Sequence, residues 1–217
     1  MLYAVRFSLP DRPGTLGSVA TAISHLPAGI ASVWVVERDG GYATDEMCVE
    51  AKGVTPDMLR DAVQAIPGVS VESVRRVERA PDPLSALQLA AQLAAPVLPP
   101  VHTLVEGLPE ALCASWAIAF DLAEEPSVRW ASEKAPVPGV METPWLPLDG
   151  PRRLPGGDWM PQRWRMSRFE VAAASLGDPR SFVLAGRPAG MRWRTPELEQ
   201  LGLLAALAAR AAMPSGV

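Results

Sequence analysis

Histidine and cysteine are scarce in this chain of 217 residues, with two of each. Cys48 and Cys113 lie far apart and lack the paired spacing of a metal knuckle or a redox motif. Two thiols make no disulfide framework, so a reducing, cytoplasmic setting is expected. With only His25 and His102, most histidine-dependent catalysis and most transition-metal sites are excluded, and neither a metal nor a cofactor is expected. The net charge is −4, which gives non-specific nucleic-acid binding no electrostatic footing. No uninterrupted apolar run reaches about 18 residues, so no membrane-spanning helix is expected. The opening Met1-Leu2-Tyr3 has no basic region leading into a long apolar run, so no secretory leader is expected. There is no glycine-rich phosphate loop of the Gly-Lys-Ser/Thr kind and no nucleophile elbow. The adjacent carboxylates Asp45-Glu46 and Glu124-Glu125 would face opposite sides of a strand, which suits paired acid–base work poorly.

The residues that are present are organised. The apolar fraction is 48% and the charged fraction 20%, the balance of a globular chain. Pro81-Asp82-Pro83 follows a charged stretch, and prolines there extend the chain and remove backbone donors. The expected division is residues 1–79, a linker at 80–83, and residues 84–217.

In the first part, Tyr3, Val5, Phe7 and Leu9 alternate with small or polar residues, the period of a half-buried strand. A turn cluster, Pro10 to Gly14, follows. Leu16, Val19, Ala20 and Ile23 then recur on one helical face. Ile30 to Arg38 reads as a strand, Asp39-Gly40-Gly41 as a hairpin turn, and Tyr42 to Ala51 as the returning strand. Thr55-Pro56 caps a second helix, with Leu59, Ala62, Val63 and Ile66 on its face. Val69 to Val77 is a last strand, which completes the order βαββαβ.

In the second part, helices are predicted over 84–97 and 101–112 and strands over 113–122 and 128–132. A long connection at 133–167 holds Trp145, Trp159 and Trp164, with room for one short element. A hairpin pair, 169–176 and 182–187, precedes a helix opening at Thr195-Pro196-Glu197, with Thr195 as its cap. Leu198, Leu201, Ala205 and Ala208 form its stripe, widened by Leu204 and Leu207.

The turn Asp11-Arg12-Pro13-Gly14-Thr15-Leu16 joins a strand end to a helix start. Free N–H groups there, and the helix dipole, favour an anion. Gly14 allows close approach to the backbone. A carboxylate on the amides of Gly14, Thr15 and Leu16, an ammonium at Asp11 and extra positive charge from Arg12 would together hold a free amino acid. Asp11 serves equally as a cap or turn residue. In residues 152–194, nine arginines oppose Asp158, Glu170 and Asp178 beside Trp159, Trp164 and Trp193. They read either as a stacking site for an aromatic or nucleotide ligand, or as solvated arginines over loop-anchoring tryptophans.

The βαββαβ order, the Asp-x-Pro-Gly-x-Leu turn (Asp11, Pro13, Gly14, Leu16) and the Gly29-Ile30 strand entry resemble an ACT domain over about residues 1–78. The resemblance implies a ferredoxin-like regulatory module that binds amino acids where two copies meet. It sets Asp11 to Leu16 of one copy opposite Gly29, Ile30 and Ala31 of another, which calls for a homodimer. The second part resembles a GAF domain in its element order, implying an α/β/α domain with an antiparallel sheet. The fold class expected is therefore α+β. Three functions remain open. The first is a non-enzymatic sensor of a small molecule, foremost an amino acid, acting on a partner protein in trans. The second is a ligand-free assembly module, and the third an enzyme using the tryptophan-rich loop as a lid.

Overall fold

A computed structural model describes residues 1–82, 84–122, 126–137 and 141–213. Pro83, Glu124 and Glu125, singled out above, lie outside the described residues. The chain divides into two compact units, Met1–Pro81 and Asp82–Val217.

Unit one runs β1 (Leu2–Pro10), α1 (Thr15–Ser24), β2 (Ala28–Asp39), β3 (Tyr42–Ala51), α2 (Pro56–Gln64) and β4 (Ser70–Val77). Its sheet order is β2-β3-β1-β4 with every neighbour antiparallel, which is the ferredoxin-like arrangement. Tyr3, Val5, Phe7 and Leu9 of β1 point to one face and meet Val19, Ile23, Leu59 and Val63 of the two helices. Cross-strand register extends this face, pairing Leu9 with Ala43, Val5 with Met47 and Tyr3 with Val49. Gly40 and Gly41 close the β2–β3 hairpin with φ of 56° and 81°. Both central positions are left-handed, the turn whose twist matches that of the strands. Thr55 accepts a hydrogen bond from the Met58 amide and caps α2. β2 begins at Ala28, two residues before the expected Ile30, because Ala28 and Gly29 pair with Ala51 and Glu50.

Unit two runs α3 (Leu84–Ala94), α4 (Pro100–Ala111), β5 (Trp116–Leu122), β6 (Pro126–Ala131), β7 (Arg152–Leu154), α5 (Gln162–Met166), β8 (Glu170–Ser175), β9 (Ser181–Arg187) and α6 (Thr195–Ala212). Its antiparallel sheet has the order β6-β5-β9-β8-β7. One face is lined by Ala117, Ala119, Ala172, Ala174 and Ala185; α4 and α6 pack on it, and α3 packs on those two helices. The small side chains let the helices approach closely. The opposite face carries Trp116, Phe120, Phe182 and Leu184, and it is covered by Trp145, Trp159, Met160 and Trp164 from the long connection.

Four local expectations are revised. Residues 113–115 precede the strand, since Cys113 has φ of 51°, a left-handed turn that extended pairing does not accommodate. The connection holds two short elements, β7 and α5; β7 forms only because β8, distant in sequence, offers it an edge. The cap of α6 is Arg194, whose amide donates to Glu197 Oε2 at 2.9 Å, so Thr195 already lies inside the helix. Leu207 is exposed, while Leu204 joins the core.

Candidate functional site

The β1–α1 turn is held from both sides. Asp11 N–H donates to Gly41 O at 2.9 Å, tying the turn to the β2–β3 hairpin. The Arg12 carbonyl accepts from the Thr15 amide at 3.2 Å and from Thr15 Oγ1 at 3.1 Å. Gly14 stands at φ 91° and a Cβ there would meet nothing within 4 Å. Glycine is therefore demanded by backbone conformation, and the space before it is open.

The helix α1 starts with no side-chain cap and no acidic residue in its first turn. The amides of Gly14 and Leu16 have no hydrogen-bond acceptor among the described residues. The Thr15 amide, expected to help hold a carboxylate, is already engaged by Arg12. Two of the three expected donors thus remain open at the positive end of the helix.

A hollow of about 330 Å³ opens here. Leu9, Val35 and Ala43 form its apolar wall, Asp11, Arg12, Pro13, Gly14 and Leu16 its turn side, and Arg38 and Asp45 complete it. Asp11 and Arg38 form a loose, exposed ion pair, Oδ2 to Nε 3.7 Å. Arg38 did not stand out in the sequence, and Asp45 did so only as half of an adjacent carboxylate pair. A signal for Asp45 existed, because β3 points Ala43, Met47, Val49 and Ala51 into the apolar core and Asp45 shares their parity. Its neighbour Glu46 faces the other way and pairs with Arg6 at 3.0 Å and with Arg75.

Asp45 is 2% exposed, and its Oδ1 has no hydrogen-bond partner. Burial pushes its carboxyl above the ordinary range; Arg38 opposes that shift and Asp11 reinforces it. Gly29, Ile30 and Ala31 lie on β2, the exposed edge strand, outside this hollow. Within one chain the structure assembles Asp11 to Gly14 with Leu16, and leaves 29–31 apart.

In unit two, a hollow of about 340 Å³ includes Arg153, Trp164, Arg165, Arg168 and Glu170. Arg165 is paired with Asp158 at 2.7 Å, and Arg153 lies 3.9 Å from Glu170. Trp145, Trp159, Trp164 and Trp193 are buried, whereas Arg152, Arg153, Arg163, Arg165, Arg168, Arg180 and Arg192 are exposed. Of the other two arginines, Arg194 is half-buried and Arg187 is fully buried. Arg187 donates to Glu197 at 2.8 Å and to the Leu112 carbonyl, and its guanidinium lies 3.7 Å from the Trp193 ring centroid. Cys48 is buried, which raises its thiol pKa. His25 is exposed at the end of α1, and His102 packs edge-on against Trp130. Among the described residues, no three His, Cys, Asp or Glu side chains are grouped to hold a metal ion, and no helix is long and apolar enough to cross a membrane.

No family model matches this chain, and no curated protein matches it. Solved structures that resemble it include ACT domains and a GAF domain. The ACT domain from the GTP pyrophosphokinase of Chlorobium tepidum is 21% identical, covers 36% of this chain and 97% of its own, and has a TM-score of 0.28. The GAF domain of a candidate sensor histidine kinase from Pseudomonas syringae is 14% identical, covering 58% of this chain and 81% of its own at a TM-score of 0.36. A candidate glycine cleavage system transcriptional repressor is 6% identical, covering 92% and 86% at 0.29. Likenesses this loose assign no function, and the two folds stand on their own strand order and register.

Proposed function

We propose that this protein is a non-enzymatic regulator that senses a small molecule, an amino acid, through residues 1–79. One observation carries the reading: a single hollow is lined both by the turn whose Gly14 and Leu16 amides are unengaged and by two carboxylates, Asp11 and Asp45. Those are the partners that the two ends of a zwitterion require. Arg12 adds positive charge beside the carboxylate end. The signal passes to a partner protein in trans, with residues 84–217 as a second, sensor-like module behind the linker at 80–83.

Homodimerisation belongs to this proposal. β2 spans Ala28–Asp39 at the sheet edge and exposes Ile30, Val33 and Val35. Such an edge invites a strand from another chain. Pairing of two copies is proposed to bring Gly29, Ile30 and Ala31 of one against the Asp11–Leu16 turn of the other. The same edge supports the second reading, a ligand-free assembly module. Against a catalytic lid, Trp145, Trp159 and Trp164 are anchored in the core under the long connection.

Isothermal titration of the full chain with each of the twenty amino acids separates the two readings. Sensing requires at least one saturable binder, weakened about tenfold or more by Asp11→Ala. Heats of dilution for all twenty, from a protein that is nonetheless dimeric, would favour assembly alone.

A further inference from the structure

We infer that Asp45 is the specificity-determining residue of the hollow beside α1, receiving a protonated amine at the buried end of the ligand. This inference rests on the proposed small-molecule reading and adds to it a residue, an orientation and a ligand class. Asp45 sits at a position of β3 whose neighbours of equal parity, Ala43 and Met47, are core side chains. A carboxylate in such surroundings is costly unless it is paired. Oδ1 is fully buried and has no partner.

The charged groups around Asp45 do not satisfy it. Arg38 on β2 directs Nε to Asp11 and remains largely exposed. Arg12 and Asp11 stand on the turn, and the sequence of α1, Thr15–Ser24, contains no charged residue. The β1 residues nearest in register, Phe7 and Leu9, are apolar. The carboxyl is therefore neutralised either by a proton or by a cation that enters the hollow. An anion in the same place would meet Asp45 and Asp11 together. The ligand orientation follows: amine toward Asp45, carboxylate toward the amides of Gly14 and Leu16.

Amine and proton then compete for one carboxylate. Affinity for the amine-bearing ligand falls as pH is lowered through the raised pKa of Asp45, and binding below that point releases a proton. The test is titration calorimetry of the full chain and of Asp45→Asn at several pH values. Its probes are the amino acid that binds, the 2-hydroxy acid of the same side chain, and n-butylamine. The wild type is expected to prefer the amino acid over the hydroxy acid by at least tenfold. Asp45→Asn should lose that preference and the pH dependence while keeping a cooperative melt. An amino acid that binds Asp45→Asn as tightly as wild type overturns this inference and leaves sensing intact. n-Butylamine binding lost in Asp45→Asn, with no amino acid bound, upholds the inference and overturns amino-acid sensing. If no probe binds the wild type, both fall.

Discussion

Asp45 and Arg187 show two ways for a charge to sit inside this molecule. Arg187 is paired: a carboxylate, a carbonyl and an indole face meet its guanidinium. Removing either ionic partner leaves the other buried alone, so Arg187→Met or Glu197→Leu is expected to cost about 3–5 kcal/mol, read from urea denaturation. Asp45 has no such company. Its carboxyl binds a proton more tightly in the folded chain than in the unfolded one. Unliganded stability therefore falls as pH rises from the ordinary carboxylate pKa through the higher folded value. Asp45→Asn should abolish that fall and leave the unliganded protein more stable than wild type at neutral pH, because the amide carries no charge to desolvate. A variant less stable than wild type at pH 7 would show that Asp45 has a structural partner. The sequence displays both residues without marking either. Arg187 is one arginine among nine in its region, and its partner is ten residues away on another element. Asp45 was legible only through parity, as the one acidic residue on the inward side of an otherwise apolar strand face.

Local chemistry determines most of the elements. The alternation in β1, the Gly40-Gly41 turn and the Thr55-Pro56 cap act within a few residues, and each forms where its pattern stands. β7, which needs the distant β8, was not legible, and neither was the left-handed turn at Cys113 that delays the start of β5. Two glycines have different reasons. Gly14 is required by its positive φ alone, so Gly14→Ala should cost about 1 kcal/mol of stability without a clash. Gly186 has an ordinary backbone, but a Cβ there would lie 2.1 Å from the Trp116 ring. That ring is buried and packed against Trp164 and Phe169, so it cannot swing aside. Gly186→Ala is expected to cost about 3 kcal/mol or more, as overpacking of a closed core does. A melting temperature unchanged from wild type would contradict this packing.

At the scale of the whole molecule, the proposal joins an edge strand to a binding hollow through self-association. Val33 lies on the exposed edge strand β2. A lysine there is expected to shift sedimentation from dimer to monomer, because charge on an edge blocks strand addition. The same substitution should weaken amino-acid binding if a second copy completes the site, and leave it unchanged if one chain suffices. The candidate turn was visible in the sequence because its residues are contiguous. The hollow was not, since it also needs Val35 and Arg38 from β2 and Ala43 and Asp45 from β3. Those residues meet the turn only once the hairpin has folded beside it.

The most direct measurement of the central claim is the response of individual backbone amides, by nitrogen–proton correlation NMR, to each added amino acid. The amides of Gly14 and Leu16 are expected to move in proportion to occupancy, while Thr15, already bonded to Arg12, moves least of the three. Saturating amino acid that leaves Gly14 and Leu16 unmoved, or that shifts only amides of the second unit, would contradict the account.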